Sequence, residues 1–218
     1  TEVNCMTHRE RFIKTLLCEP IGGQVPTFEL VFFLTMEALG KVHPSQRSYG
    51  QWNQMSQREK SLHINEMADI YIETARRYDH SAIFVHPNPG DFENTQWLLD
   101  RIREKSGDEY YIMMHGDPTW SIPDGGHMVE FAARMYDDPE GMNADSDRRV
   151  DWSLEYAAKL DAHGHLHDGF TLCSDYCFNV NPFFSPDKFD ELIVPFLKRV
   201  IDGYRELGYY TIKHTDGN

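Results

Sequence analysis

The sequence predicts an α/β fold built on parallel strands. Short apolar runs and amphipathic helical stretches alternate along the chain five times over, the order expected when helices connect the strands of one sheet. The apolar runs are continuous instead of alternating with polar residues, as strands buried on both faces read. No linker or low-complexity tract divides the 218 residues, so one domain spanning 1–218 is expected.

The elements follow in order. Residues 6–17 predict a helix, because Thr7 and Glu10 form a capping-box pattern and Phe12, Ile13, Leu16 and Leu17 share an apolar face. Pro20 and the Gly22-Gly23 pair end it. Residues 25–31 predict the first strand, with Pro26 at its start. A short helix over 32–40 and a long polar loop over 43–57 come next. A helix over 59–78 leads to a second strand over 81–86, which Pro87-Asn-Pro-Gly90 stops. A helix over 92–105 leads to a third strand over 110–115. Helices over 127–136 and 148–160 flank the break at Asp138-Pro139. The fourth strand is expected over 169–174 and a helix over 187–207, started by Ser185-Pro186. Tyr209, Tyr210, Thr211 and Ile212 suit a fifth strand.

Composition excludes some functions. Lys and Arg number 21 against 35 Asp and Glu, a formal charge of −14, which repels phosphate backbones and argues against a nucleic-acid partner. No run of 18 apolar residues is present to span a membrane. The first eight residues lack the basic-then-apolar order of a signal peptide. Four cysteines without a CxxC pair read as reduced thiols, and a cytoplasmic location is expected. No GxGxxG follows the first predicted strand, so dinucleotide binding lacks support.

In α/β proteins with parallel strands, ligands sit at the strands' C-terminal ends. Those ends carry Glu29, His86, His115 with Asp117, Asp175, and His214 with Asp216. His214 and Asp216 are two apart, so on an extended chain both side chains point to one face. That pattern suits a metal pair, an acid/base pair or a polar plug. His163, His165 and His167 alternate as metal ligands can, but they precede a strand and read as structural.

Thr7-His-Arg-Glu-Arg-Phe12, Val25-Pro26, Asp137-Asp-Pro-Glu140, Asp175 with Phe184-Ser-Pro-Asp-Lys-Phe189, and His214-Thr-Asp-Gly217, in that order, resemble the uroporphyrinogen decarboxylase superfamily, which also contains methyltransferases serving corrinoid proteins. Thr7-His-Arg-Glu-Arg-Phe12 followed by Val25-Pro26 is similar to its N-terminal helix and first strand. Asp137-Asp-Pro-Glu140 is similar to its mid-chain helix break. Asp175 with Phe184-Ser-Pro-Asp-Lys-Phe189 and Pro195 resembles its fourth-strand loop and helix, and His214-Thr-Asp-Gly217 its fifth-strand site. The resemblance implies a TIM (β/α)₈ barrel of the uroporphyrinogen decarboxylase type. About five βα units are present, so the expectation is an incomplete barrel whose last strands follow Asn218.

The two branches of the family differ at their motifs. The decarboxylase carries Arg-Gln-Ala-Gly-Arg after its first strand, whereas Phe32-Phe-Leu-Thr-Met-Glu-Ala stands here, with no arginine to hold a substrate carboxylate. The methyltransferases hold zinc with a His-x-Cys pair and a later Cys, and here the pair is His214-x-Asp216. The resemblance therefore implies a methyltransferase moving a methyl group between a corrinoid protein and a thiol or tetrahydrofolate acceptor. It implies zinc on His214 and Asp216, with a third ligand expected beyond Asn218. Asp175, His115 and Glu29 are the expected proton donors or substrate anchors, and His86, Asp117 and Asn218 the expected substrate contacts. Two alternatives stand beside it: a metal-free lyase acting on a carboxylate with Asp175 as acid, and a non-catalytic ligand-binding barrel.

Overall fold

The structure, a computed structural model, describes residues 6–30 and 39–217. Asn218 and most of the helix expected over 32–40 lie outside them. The described residues form seven α-helices and four strands, an α/β fold. They group into two compact units, residues 1–114 with 163–168 and residues 115–162 with 169–218.

In the first unit, α1 (His8–Leu16) opens with the expected capping box, Thr7 Oγ1 accepting from Glu10 N and Glu10 returning a carboxylate oxygen to Thr7 N. Such a cap is worth about 1 kcal/mol because it satisfies two amides that no helical carbonyl reaches. Helix α2 (Gln57–Tyr78) has its own capping box, Ser56 with Glu59. It packs along α3 (Phe92–Ser106). Strands β1 (Ala82–Val85) and β2 (Tyr111–His115) pair in parallel, from Ala82 opposite Tyr111 to Val85 opposite Met114.

Asp168 closes this unit. Its carboxylate is 3% exposed and accepts from Arg9 (2.6 and 2.8 Å), Arg103 (3.1 Å) and Ile112 N (2.8 Å). Two guanidinium groups and an amide offset the cost of burying one carboxylate, which is several kcal/mol.

In the second unit, α4 (Met128–Asp137) is followed directly by α5 (Pro139–Ala162). Asp138 Oδ1 accepts from Gly141 N at 3.0 Å, so the one-residue break is also the cap of the next helix. Strand β3 (Gly169–Leu172) leads through α6 (Pro186–Leu192) and α7 (Val194–Glu206) to β4 (Tyr210–Lys213). Strands β3 and β4 pair in parallel, from Gly169 opposite Tyr210 to Leu172 opposite Lys213. Phe170 stacks on Tyr204 at 4.1 Å and meets Tyr209 edge-on at 5.0 Å. Gly116 lies flat against Phe170, where a Cβ would come within 2.6 Å of the ring.

Several expectations need correction. Residues 25–30 form no strand: Val25 is exposed, Pro26 has no N–H to donate, and the segment is tied down by isolated bonds such as Ser81 N to Thr27 O at 2.7 Å instead of a ladder. Four strands are therefore formed among the described residues, against the five expected and the eight of a closed barrel. Helix α5 begins nine residues before the expected Arg148, because Met142, Ser146 and Val150 already bury one face at a spacing of four. The helix expected over 187–207 is broken at Ile193, since Pro195 lacks the N–H that would continue it.

Candidate functional site

The second unit gathers five of the expected residues. The β3–β4 register places Leu172 opposite Lys213, and His214 N donates to Leu172 O at 2.8 Å. The two strands thus end side by side. Beyond β3 lies Asp175, and beyond β4 lie His214 and Asp216. Asp216 N donates to Asp175 Oδ1 at 2.9 Å, and His214 Nε2 is 3.5 Å from Asp216 Oδ1. The shared face expected for residues i and i+2 is formed.

Asp175, His214 and Asp216 each offer one donor atom, and all three atoms lie within 4.8 Å of one another. Two carboxylates and one imidazole form a hard-to-borderline set that fits zinc or another divalent first-row ion, with bonds of about 2.0–2.2 Å. Charge favours a cation as well. Among the described residues neither Asp175 nor Asp216 has a lysine or arginine within ion-pair distance. Both line an open cleft of about 470 Å³, together with Ser121, Ile122, Cys177, Phe178, Asn179 and Val180.

The Asp175 backbone is held from the other side. Ser121 Oγ donates to Asp175 O at 3.2 Å and accepts from Asp175 N at 3.1 Å, while Ile122 N donates to Asp175 O at 2.9 Å. Thr215 Oγ1 accepts from Tyr176 N at 3.2 Å, tying the two strand ends a second time.

Asp117 faces inward. Its side chain is fully buried, Oδ1 accepting from Thr119 N (3.0 Å) and Thr119 Oγ1 (2.5 Å), and Oδ2 from Ser174 N (2.8 Å) and Lys213 Nζ (3.0 Å). Burial opposes its charge, but Thr119, Lys213 and Ser174 together outweigh it and hold the carboxyl below its usual range. With both oxygens committed, Asp117 reads as a brace for the strand ends. Lys213 Nζ also donates to Ser174 O at 2.7 Å and lies 4.2 Å above the Tyr176 ring. His115 is exposed. Partial loss of hydration, resisted by Asp117 and reinforced by Lys213, holds its imidazole below the ordinary range.

Glu29 and His86 belong to the first unit. Glu29 is half-buried there, on the segment that forms no strand. His86 follows β1, where Tyr71 Oη accepts from His86 N at 3.0 Å and donates to His86 O at 3.2 Å. Its ring lies 5.8 Å from that of His43, which is buried and whose imidazole is lowered to about 4 by burial, His86 and Arg47. Asn218 lies outside the described residues.

Sequence reading missed Lys213, Thr119 and Ser121. A lone lysine in an otherwise aromatic and β-branched strand, and the Asp117-x-Thr119 spacing, were the available signals.

The fold and site together define an α/β protein with a carboxylate–imidazole cluster where parallel strands end, the usual ligand position of that class. In fold the chain is similar to a methyltransferase from Methanosarcina mazei, with a TM-score of 0.65 and 17% identity over 98% of this chain and 71% of that one. No family model and no curated protein matches the sequence.

Proposed function

We propose that the chain is a methyltransferase-like enzyme that moves a methyl group between a corrinoid protein and a thiol or tetrahydrofolate acceptor. One observation carries the reading: three donor atoms converge within 4.8 Å at adjacent strand ends, in a chain whose fold resembles that of a methyltransferase along 98% of its length. Asp175, His214 and Asp216 would hold a divalent cation. When bound, the cation supplies Lewis acidity that lowers the pKa of an acceptor S–H. Around it, Asp216 N–H fixes Asp175 Oδ1, so one edge of that carboxylate is oriented before any ligand arrives. The apolar side chains of Ile122, Phe178 and Val180 line the cleft in which the acceptor would sit.

Zinc content and methyl transfer from methylcobalamin to a thiol, measured on the protein and on His214→Ala, test the proposal. Stoichiometric zinc and transfer that both fall in the variant support it. Equal transfer by the two proteins sinks the cation role, and carbon dioxide release from a carboxylate substrate without methyl transfer would establish the lyase instead.

A further inference from the structure

We infer that Asp117 and Lys213 are positioning residues: one ion pair, its carboxylate fully buried and its ammonium half-buried, that sets the separation of Asp175 and His214. Its functional consequence rests on the cation reading above; its structural consequence does not. Chain position is the first reason. Ser174 immediately precedes Asp175, and Lys213 immediately precedes His214. Asp117 Oδ2 accepts from Ser174 N at 2.8 Å and from Lys213 Nζ at 3.0 Å, so one oxygen atom holds the residues before two of the three candidate ligands, Asp175 and His214. Lys213 Nζ closes the triangle by donating to Ser174 O at 2.7 Å.

The arrangement is directional. Ser174 has both its N–H and its C=O engaged by the pair, which fixes the peptide planes leading into Asp175. Asp117 is in turn anchored by Thr119, whose hydroxyl lies 2.7 Å from Tyr176 Oη, and Tyr176 lies beneath the ammonium. Lys213 neutralises Asp117 and leaves the charge of Asp175 and Asp216 for a cation. A plug that merely filled space would have no reason to engage both strand ends through one atom. Groups that orient first-shell ligands in this way change cation affinity by roughly 10–100-fold when removed.

The test uses the full chain and Co²⁺ as the probe. Lys213→Met keeps the length of the side chain and removes the donor, and Asp117→Asn keeps the shape and removes the charge. Circular dichroism establishes that each variant is folded, Co²⁺ titration followed by visible absorption gives affinity and ligand field, and amide exchange at Asp216 N–H reports the strand-end geometry without metal. Expected are Co²⁺ binding weaker by roughly 10–100-fold with altered bands, and faster exchange at Asp216. A folded variant with unchanged affinity and unchanged exchange overturns the inference. If the parent protein binds no Co²⁺, the cation reading fails, and exchange at Asp216 alone decides: acceleration keeps the positioning role and no change ends it. If Lys213→Met does not fold, Asp117→Asn decides by the same two measurements; if neither folds, the pair is purely structural and the inference is wrong.

Discussion

Asp216 N donates to Asp175 Oδ1 at 2.9 Å, a bond between residues 41 positions apart that joins the ends of two neighbouring strands. It makes Asp175 a partner of the His214/Asp216 pair, bringing a third donor atom within 4.8 Å of theirs. Asp175→Asn retains an acceptor oxygen for Asp216 N–H, whereas Asp175→Ala leaves that amide without it. Zinc retention measured by elemental analysis should therefore fall further in the Ala variant than in the Asn variant. Equal retention in both would show that the bond does not organise the cluster.

Gly116→Ala should destabilise the protein by about 1–3 kcal/mol, the usual cost of overpacking. The added carbon would lie 2.6 Å from the Phe170 ring edge and 2.9 Å from its Cβ, and Phe170 is itself stacked on Tyr204. Urea denaturation gives the value, and a midpoint within error of the parent would mean that the ring can move aside.

Asp168→Ala should destabilise the protein by up to about 3 kcal/mol, because it removes the 3%-exposed carboxylate that Arg9 and Arg103 share, leaving both guanidinium groups with Asp108, at 3.7 and 3.9 Å, as an ion-pair partner. Asp168→Leu tests the same site without an empty space. If loss of the ion pairs dominates, both variants lose stability in denaturant titrations; if the empty space dominates, the leucine variant recovers it.

Stability should decline as the solution is acidified through the histidine range. The unfolded-state pKa of His43 is near 6.5 and its folded value is about 4, so below 6.5 the unfolded chain binds the proton first. Stability from this group is complete above pH 6.5 and is lost progressively down to about pH 4, a change of roughly 3 kcal/mol at one pKa unit per 1.4 kcal/mol. His43→Gln should flatten that part of the pH–stability curve. A curve with the same slope between pH 6.5 and 4 would assign it to other groups.

What was legible in the sequence was local. The Thr7/Glu10 capping box and the i, i+2 placement of His214 and Asp216 depend on residues within a few positions of one another, and both are formed. What failed depended on distant partners. Val25, Phe28 and Leu30 have strand-like side chains, but a strand needs a neighbour, and residues 25–30 gain isolated bonds such as Ser81 N to Thr27 O instead of a ladder. The early turns of α5 fall outside the helix expected from Arg148. Asp145 is paired with Arg134 at 2.6 Å and also with Arg148, and the buried side of those turns carries only Met142 and Ser146. Asp175 reached the cluster through the β3–β4 register, and Lys213, which reads as a surface lysine, was turned inward by Asp117.

The Asp168 clasp has a consequence for the order in which the protein can be made. Arg9 of α1 and Asp168 are 159 residues apart, and the compact unit containing α1 is completed by residues 163–168. On a ribosome adding about 5–20 residues per second, α1 waits roughly 8–30 s for its carboxylate to be synthesised. During that interval residues 115–162 are already emerging, so the first unit cannot finish folding before about half of the second has been translated. Nascent chains arrested before and after Asp168 should therefore differ sharply in protease resistance at α1.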